Sequence, residues 1–312
     1  MAELRAKMAS AAAEESASVD NFTNDSAMMI AWERHLETKR GAEALFSDAF
    51  AEALAGAKGE ALSEGFGGMC KMFELEGWPE FHKTWTAVRT RFIDDYVTKA
   101  TATGGFAQLV NLGAGMDTRP YRMECYKAFA NGCIGVDMAT VNAARAKVFA
   151  DFLHAPTAHC EVSSVDLDFL SEDKTLATEL SSQPKFDATK PSLFLAEGLI
   201  MYLGAAGKLK LLKDVSAVAA PGSVFVLNFM DPSESETAKK TPGAIEGGLS
   251  VEEARREMGT HGWTNLEFYR FGDEKLSFGR FPTEKFKPSP SFSFFIATKR
   301  HRILQLHIFW SC

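Results

Sequence analysis

Residues 110–122 read VNLGAGMDTRPYR. An apolar run, Gln108 to Leu112, leads into the glycine pair Gly113 and Gly115, and a polar segment able to open a helix follows at once. Strand, tight glycine turn and helix start form the opening unit of a nucleotide-binding α/β sheet. Glycine is needed because such a turn uses backbone angles that side chains disfavour, and because a ligand must approach bare main chain. The stretch therefore predicts a mostly parallel sheet with the Gly113-Ala114-Gly115 turn at its ligand end. Gly-x-Gly alone is a weak signal, since any strand–turn–helix can contain it.

The neighbouring residues narrow the ligand. A dinucleotide fingerprint would place a third glycine at position 118, which is Thr118. Asp117 stands near the expected helix N-terminus, where the helix dipole stabilises a carboxylate and where that carboxylate repels a pyrophosphate seeking the same amides. A phosphate-free cofactor with a cationic centre suits the turn better, and S-adenosyl-L-methionine has adenosine, an amino acid and a sulfonium. A second apolar run, CIGV at 133–136, predicts strand two, and Asp137 ends it 22 residues after Gly115. An acid there accepts both ribose hydroxyls; this supports a nucleoside without choosing between cofactors. Met138 is placed to touch the adenine face. An NAD-binding dehydrogenase and a non-catalytic cofactor-binding protein are the rival classes; Thr118 and Asp117 speak against the first.

Two blocks, LGAGMDTR at 112–119 and AEGLIMYL at 196–203, closely resemble the motifs of the leucine carboxyl methyltransferase family, which includes bacterial and polyketide-type small-molecule O-methyltransferases. The resemblance spans roughly residues 26–300. It implies a Rossmann-like class I methyltransferase, a seven-stranded mostly parallel sheet with helices on both faces and a helical N-terminal cap. It implies that a lysine of the N-terminal element, here Lys39 with Arg40 beside it as an alternative, reaches the cofactor carboxylate ahead of the LFSDAFA stretch. Arg89 then pairs with that carboxylate, and Arg91 is an ordinary surface residue. Asp166, with Asp168 as a competitor one residue on, accepts from the adenine amino group, and Leu167 frames the ring. Glu197 follows the continuous apolar run SLFLA, which fits a central parallel strand; the resemblance assigns it to the cofactor's methionine end. Tyr202 faces the acceptor as donor or wall.

The rest of the chain fits one domain. Residues 1–20 read as a tail and 21–300 as a single unit, with 21–100 as helical cap, 101–300 as core carrying a cap insertion at about 231–262, and 301–312 as an apolar tail. Helices are expected over 26–55 with Gly56 and Gly59 as stops, over 84–99, 140–152, 208–220 and 251–258; Met29, Trp32 and Leu36 recur at helical spacing in the first. Residues 65–85, rich in glycine, methionine and aromatics, suit a lid or ordinary helix packing. A third strand is expected at 158–162, with later strands at 224–229, 266–271 and 292–298, and a polar loop at 231–250.

A net charge of −7 argues against nucleic acid as an obligate partner. Cysteines at 70, 125, 133, 160 and 312 form no CxxC pair and are odd in number, which reads as reduced thiols in a cytoplasmic protein with no zinc site. No signal peptide or membrane-spanning run is apparent. The expected partner is a small-molecule methyl acceptor, with methylation of a protein's C-terminal leucine as the subordinate reading. His35, His82 and His261 lie near cap segments without forming a recognisable base, so a carboxylate or easily ionised phenol is favoured as acceptor.

Overall fold

The computed structural model describes residues 25–72, 77–151, 154–231, 248–271, 273–280 and 292–300. Both tails and most of 231–250 lie outside these.

Seven strands, β1 (Gln108–Leu112), β2 (Cys133–Asp137), β3 (Val162–Asp166), β4 (Ser192–Ala196), β5 (Val224–Met230), β6 (Trp263–Arg270) and β7 (Phe292–Lys299), form one sheet in the order β3-β2-β1-β4-β5-β7-β6. Strands β1 to β5 pair in parallel, whereas β7 runs antiparallel to both β5 and β6. In β1, β2, β4 and β5 every residue is buried. This is why these strands read as continuous apolar runs: helices cover both faces of a parallel sheet.

The helices are α1 (25–38), α2 (Ala51–Met72), α3 (Trp78–Thr103), α4 (Arg119–Arg122), α5 (Ala139–Asp151), α6 (Leu176–Ser181), α7 (Gly204–Val218) and α8 (Val251–Thr260). Alternate strand residues pack on opposite sides. Val110, Leu112, Phe194 and Phe225 join residues of α6, α7 and α8, while Leu109, Leu193, Leu195 and Phe294 join Trp85, Val88 and Ile93 of α3. A third cluster, with Ala31, Leu54, Ala55, Met116 and Phe149, sets α1 and α2 against the glycine turn and α5. Gly59 makes that fit possible, because a Cβ there would stand 2.5 Å from the Met28 carbonyl oxygen.

Several expectations need correction. Gly56 and Gly59 do not stop a helix; Gly56 makes a kink (φ 56°) and α2 continues to Met72. The helix after the glycine turn is only four residues, followed by a 3-10 turn at Glu124–Ala128. Strand β3 lies at 162–166 instead of 158–162; it is a sheet edge with a largely exposed pattern, so it lacks the apolar run of its neighbours. Strand β6 begins three residues earlier than read, at Trp263, whose Nε1 donates to Ser216 at 2.7 Å. In α1, Met29, Trp32 and Leu36 are only half-buried, while Glu33, Arg34 and Glu37 are buried. That helix turns charge inward, which only internal partners make tolerable. Among the described residues no helix is long and apolar enough to cross a membrane.

Candidate active site

The carboxyl ends of the parallel strands carry the site. Gly113 follows β1, Asp137 ends β2, Asp166 ends β3 and Glu197 follows β4. The crevice between β1 and β4, where the strand order reverses, is where open α/β sheets take their ligands.

The turn is held from inside. Gly113 and Gly115 adopt φ of 66° and 50°. The Gly113 and Ala114 amides both donate to the Val136 carbonyl, at 2.8 and 3.2 Å. The Gly115 amide donates to Asp137 at 2.6 Å. These three amides, which a phosphate-binding loop would aim at its ligand, are therefore spent on strand two. Arg145 of α5 takes the Gly115 carbonyl at 2.5 Å, and also donates to Asn142 and Ser164. Above the turn sits α1, with the Ala27 Cβ 3.4 Å from where a Gly115 Cβ would lie.

Asp137 accepts from the Gly115 and Met138 amides, one on each oxygen. Burial raises its pKa above the ordinary carboxylate value, and these two amide bonds only partly oppose that. Each oxygen retains a second lone pair. Met138 is half-buried beside it. Asp166 is exposed and gives one oxygen to Asn142 at 2.8 Å. Leu167 is differently placed from the expectation: it is buried in the core, and its amide donates to the Asp137 carbonyl at 2.9 Å, so neither its amide nor its side chain is presented as a frame for a ring.

A buried ionic network joins the cap, α3, the turn and β4. Arg119 donates to Asp94 at 2.8 Å, to Asp117 at 3.1 Å and to Glu197 at 2.9 Å. Arg122 forks onto both oxygens of Asp94 at 2.7 and 2.8 Å. Arg34 donates to Asp48 at 3.0 Å and to the Met116 carbonyl at 2.6 Å. Arg89 donates through Nε to Glu197 at 2.8 Å. Four arginines thus face four carboxylates, and the balance offsets the cost of burying them. Glu197 is buried, which by itself would raise its pKa; Arg119, Arg89 and Arg34 overrule that and hold it down at about 2. Asp48 is held below its ordinary value in the same way, by Arg34 and Arg122 against burial.

Asp117 is drawn into this network. Besides the Arg119 guanidinium it accepts from Asn111 at 2.8 Å and from the Arg119 amide at 3.2 Å. Arg89 is buried, and among the described residues its terminal nitrogens have no partner, so two forked donors remain beside Glu197. Arg91 stays at the surface with Asp95, although it also holds the Leu45 carbonyl at 2.7 Å. Lys39 is exposed at the end of α1, and its side chain has no hydrogen bond or ion pair among the described residues. The basic residue of the N-terminal element that does reach the turn is Arg34. Its signal in the sequence was a cation on the same helical face as Ala27 and Ala31. Tyr202 exposes 49% of its surface. Its hydroxyl bonds to Ser26 and feels both Arg89 and Glu33; desolvation raises its pKa.

The strand order with a lone antiparallel β7, and a glycine turn ringed by strand-end acids, define a Rossmann-like class I methyltransferase fold. The profile of the leucine carboxyl methyltransferase family matches residues 27–216, more than half of the chain, and the protein belongs to that family. A protein of Parafrankia sp. (strain EAN1pec) named "Putative S-adenosyl-L-methionine-dependent methyltransferase" is 32% identical over 257 residues, covering 77% of this chain and 76% of the relative. Two crystal structures share the fold. A DUF574 family protein of Streptomyces avermitilis superimposes with a TM-score of 0.59 at 13% identity, covering 88% of this chain and 97% of that one. A methyltransferase-like protein of Thermobifida fusca, itself named only as a candidate for that activity, gives 0.56 at 15%, covering 80% and 92%.

Proposed function

We propose that the protein binds S-adenosyl-L-methionine over the glycine turn and transfers its methyl group to an oxygen of a small-molecule acceptor, leaving S-adenosyl-L-homocysteine. The observation that carries this reading is the inward pairing of the Gly113, Ala114 and Gly115 amides. Those three amides are not available to a pyrophosphate, which would also meet the carboxylate of Asp137, whereas a ribose and a cation suit acceptor groups.

The residues fit the cofactor. The remaining lone pairs of Asp137 accept the ribose hydroxyls, and Met138 lies against the adenine. The uncommitted oxygen of Asp166 takes the adenine amino group. Arg89 offers its unpaired fork to the methionine carboxylate, and two parallel bonds suit an arginine on such a group. Glu197 stays ionised and lends its charge to the amino and sulfonium end. When bound, the cofactor supplies an electrophilic methyl on a leaving group that departs neutral. The protein aligns the acceptor oxygen with that methyl and excludes water from it. Tyr202 borders the acceptor side, and the protein works within the cytoplasm.

The test is methyl transfer from methyl-labelled S-adenosylmethionine to a mixed panel of phenols, alcohols and carboxylic acids, with a peptide ending in leucine included. Label in a small molecule supports the reading. Label only in the peptide replaces it with C-terminal carboxyl methylation, the reaction named by the family profile.

A further inference from the structure

We infer that His82 is a general base oriented by Glu33, and that the acceptor is a neutral alcohol or phenol and not a carboxylate. This rests on the methyl-transfer reading and specifies its acceptor side.

Helix α3 presents His82, Thr86 and Arg89 on one face, spaced four and seven residues apart. Arg89 reaches Glu197 at the end of β4, so this face looks towards the site. His82 lies about 10 Å further along the helix axis. Opposite stands α1, whose residues meet the site in turn. Ala27 lies over Gly115, Ser26 bonds the Tyr202 hydroxyl, Arg34 holds Met116, and Glu33 faces α3.

Glu33 is buried, with 2% exposure. It receives the Thr86 hydroxyl at 2.6 Å and lies 2.8 and 2.9 Å from His82 Nδ1. A carboxylate only accepts, so Nδ1 carries the hydrogen and the neutral ring keeps its lone pair on Nε2. Among the described residues nothing is bonded to Nε2, the ring of Phe66 from α2 lies 5.1 Å away, and the imidazole keeps 16% exposure. Carboxylate, fixed tautomer and open second nitrogen are the parts of a histidine base with its orienting acid. Among the described residues the ionisable group bonded to His82 is Glu33 from α1, and its ring neighbour from α2, Phe66, is uncharged.

The step balances. The acceptor O–H gives its proton to Nε2, forming an imidazolium paired with Glu33. The oxygen forms a bond to the methyl carbon as the carbon–sulfur bond breaks, and that electron pair stays on sulfur as a neutral thioether. A carboxylate acceptor needs no base, and with His82 neutral it would face the bare charge of Glu33. The pair therefore matches a proton-bearing acceptor, which keeps the phenol of the sequence-based reading and sets aside its carboxylate.

The experiment uses the full chain and the variants His82→Gln and Glu33→Gln. Calorimetry with S-adenosylhomocysteine comes first, and all three proteins should bind it alike. Homocysteine-product formation is then followed against pH with phenol, catechol, 4-nitrophenol and benzoate. Hydroxyl compounds should react, at a rate rising with pH through one ionisation that His82→Gln abolishes. The variant should lose about 10²–10⁴-fold in rate with an unchanged KM for the methyl donor, and 4-nitrophenol, which ionises most easily, should lose least. Independently of any acceptor, nitrogen-15 resonances of His82 in the bound protein should show Nδ1 protonated and Nε2 bare, a preference that Glu33→Gln removes. Benzoate as the better acceptor, an undiminished His82→Gln rate, or a proton on Nε2 in the neutral ring would each overturn the inference. Should the panel yield no product, the tautomer decides. Failure of the unaltered protein to bind S-adenosylhomocysteine would instead remove the reading beneath it.

Discussion

Gly113 shows how one side-chain position is fixed from two directions. Its φ of 66° is left-handed, and a Cβ there would stand 3.0 Å from the Leu199 side chain. Gly115 has a similar φ but meets only ordinary contact, at 3.4 Å from Ala27. Left-handed backbone costs an alanine about 1–2 kcal/mol, so both alanine variants lose that much in urea unfolding, and Gly113→Ala loses more. Equal losses would mean that Leu199 yields freely. At this scale the sequence was readable for a residue's place at a strand end, as for Asp137 and Glu197. It was not readable where the role depends on a distant partner. Glu197 finds Arg89 across 108 positions, and the pairing of Arg34 with the turn spans 82. Leu167 shows the same limit, because nothing in its neighbours tells whether an apolar side chain lines a ligand or fills the core.

Among the elements, α1 is the one the site depends on and the one sequence reading described least well. Periodicity pointed to Met29, Trp32 and Leu36 as its inner face, yet the buried set includes Glu33, Arg34 and Glu37. A helix with charges on both sides gives no clear stripe, and burial of those charges is decided by Asp48, His82 and Arg280 elsewhere in the chain. Arg34→Met removes one partner of a buried pair while keeping the length of the side chain. The expected loss is about 3–5 kcal/mol in global stability or, if α1 opens locally, a matching loss of amide protection over 25–38. Unchanged protection and stability would show that α1 is held by its apolar contacts alone. By contrast β1, β2 and β4 were legible because burial on both faces leaves few residue types possible, while the edge position of β3 removed that constraint.

Across the whole molecule, buried charge sets the response to acid. A carboxylate whose folded pKa is depressed contributes stability that is complete above its unfolded value and is lost as pH falls through the folded one. Glu197, lowered from 4.5 to about 2, therefore contributes on the order of 3 kcal/mol that disappears over that window. Asp48 acts in the same sense. Asp137 has the opposite sign: its raised pKa favours the fold at low pH and loses that contribution as pH rises through the folded value. Urea unfolding from pH 5 down to pH 2 should show the steep loss, and Glu197→Gln, already destabilised at neutral pH, should show a shallower one. A variant with the same slope as the unaltered protein would place the acid response elsewhere. The mostly parallel pairing lay within reach of sequence, since strands separated by helical stretches favour it; the strand order and the ionic network that ties α1 and α3 to the glycine turn did not.

The most direct measurement is calorimetric titration of the full chain with S-adenosylhomocysteine and, separately, with NAD, repeated on Asp137→Ala. A turn whose amides are spent inward should bind the first and not the second, and loss of the ribose acceptor should weaken binding by at least about tenfold, or 1.4 kcal/mol. Binding of NAD without S-adenosylhomocysteine, or equal affinity for S-adenosylhomocysteine with and without Asp137, would contradict the account.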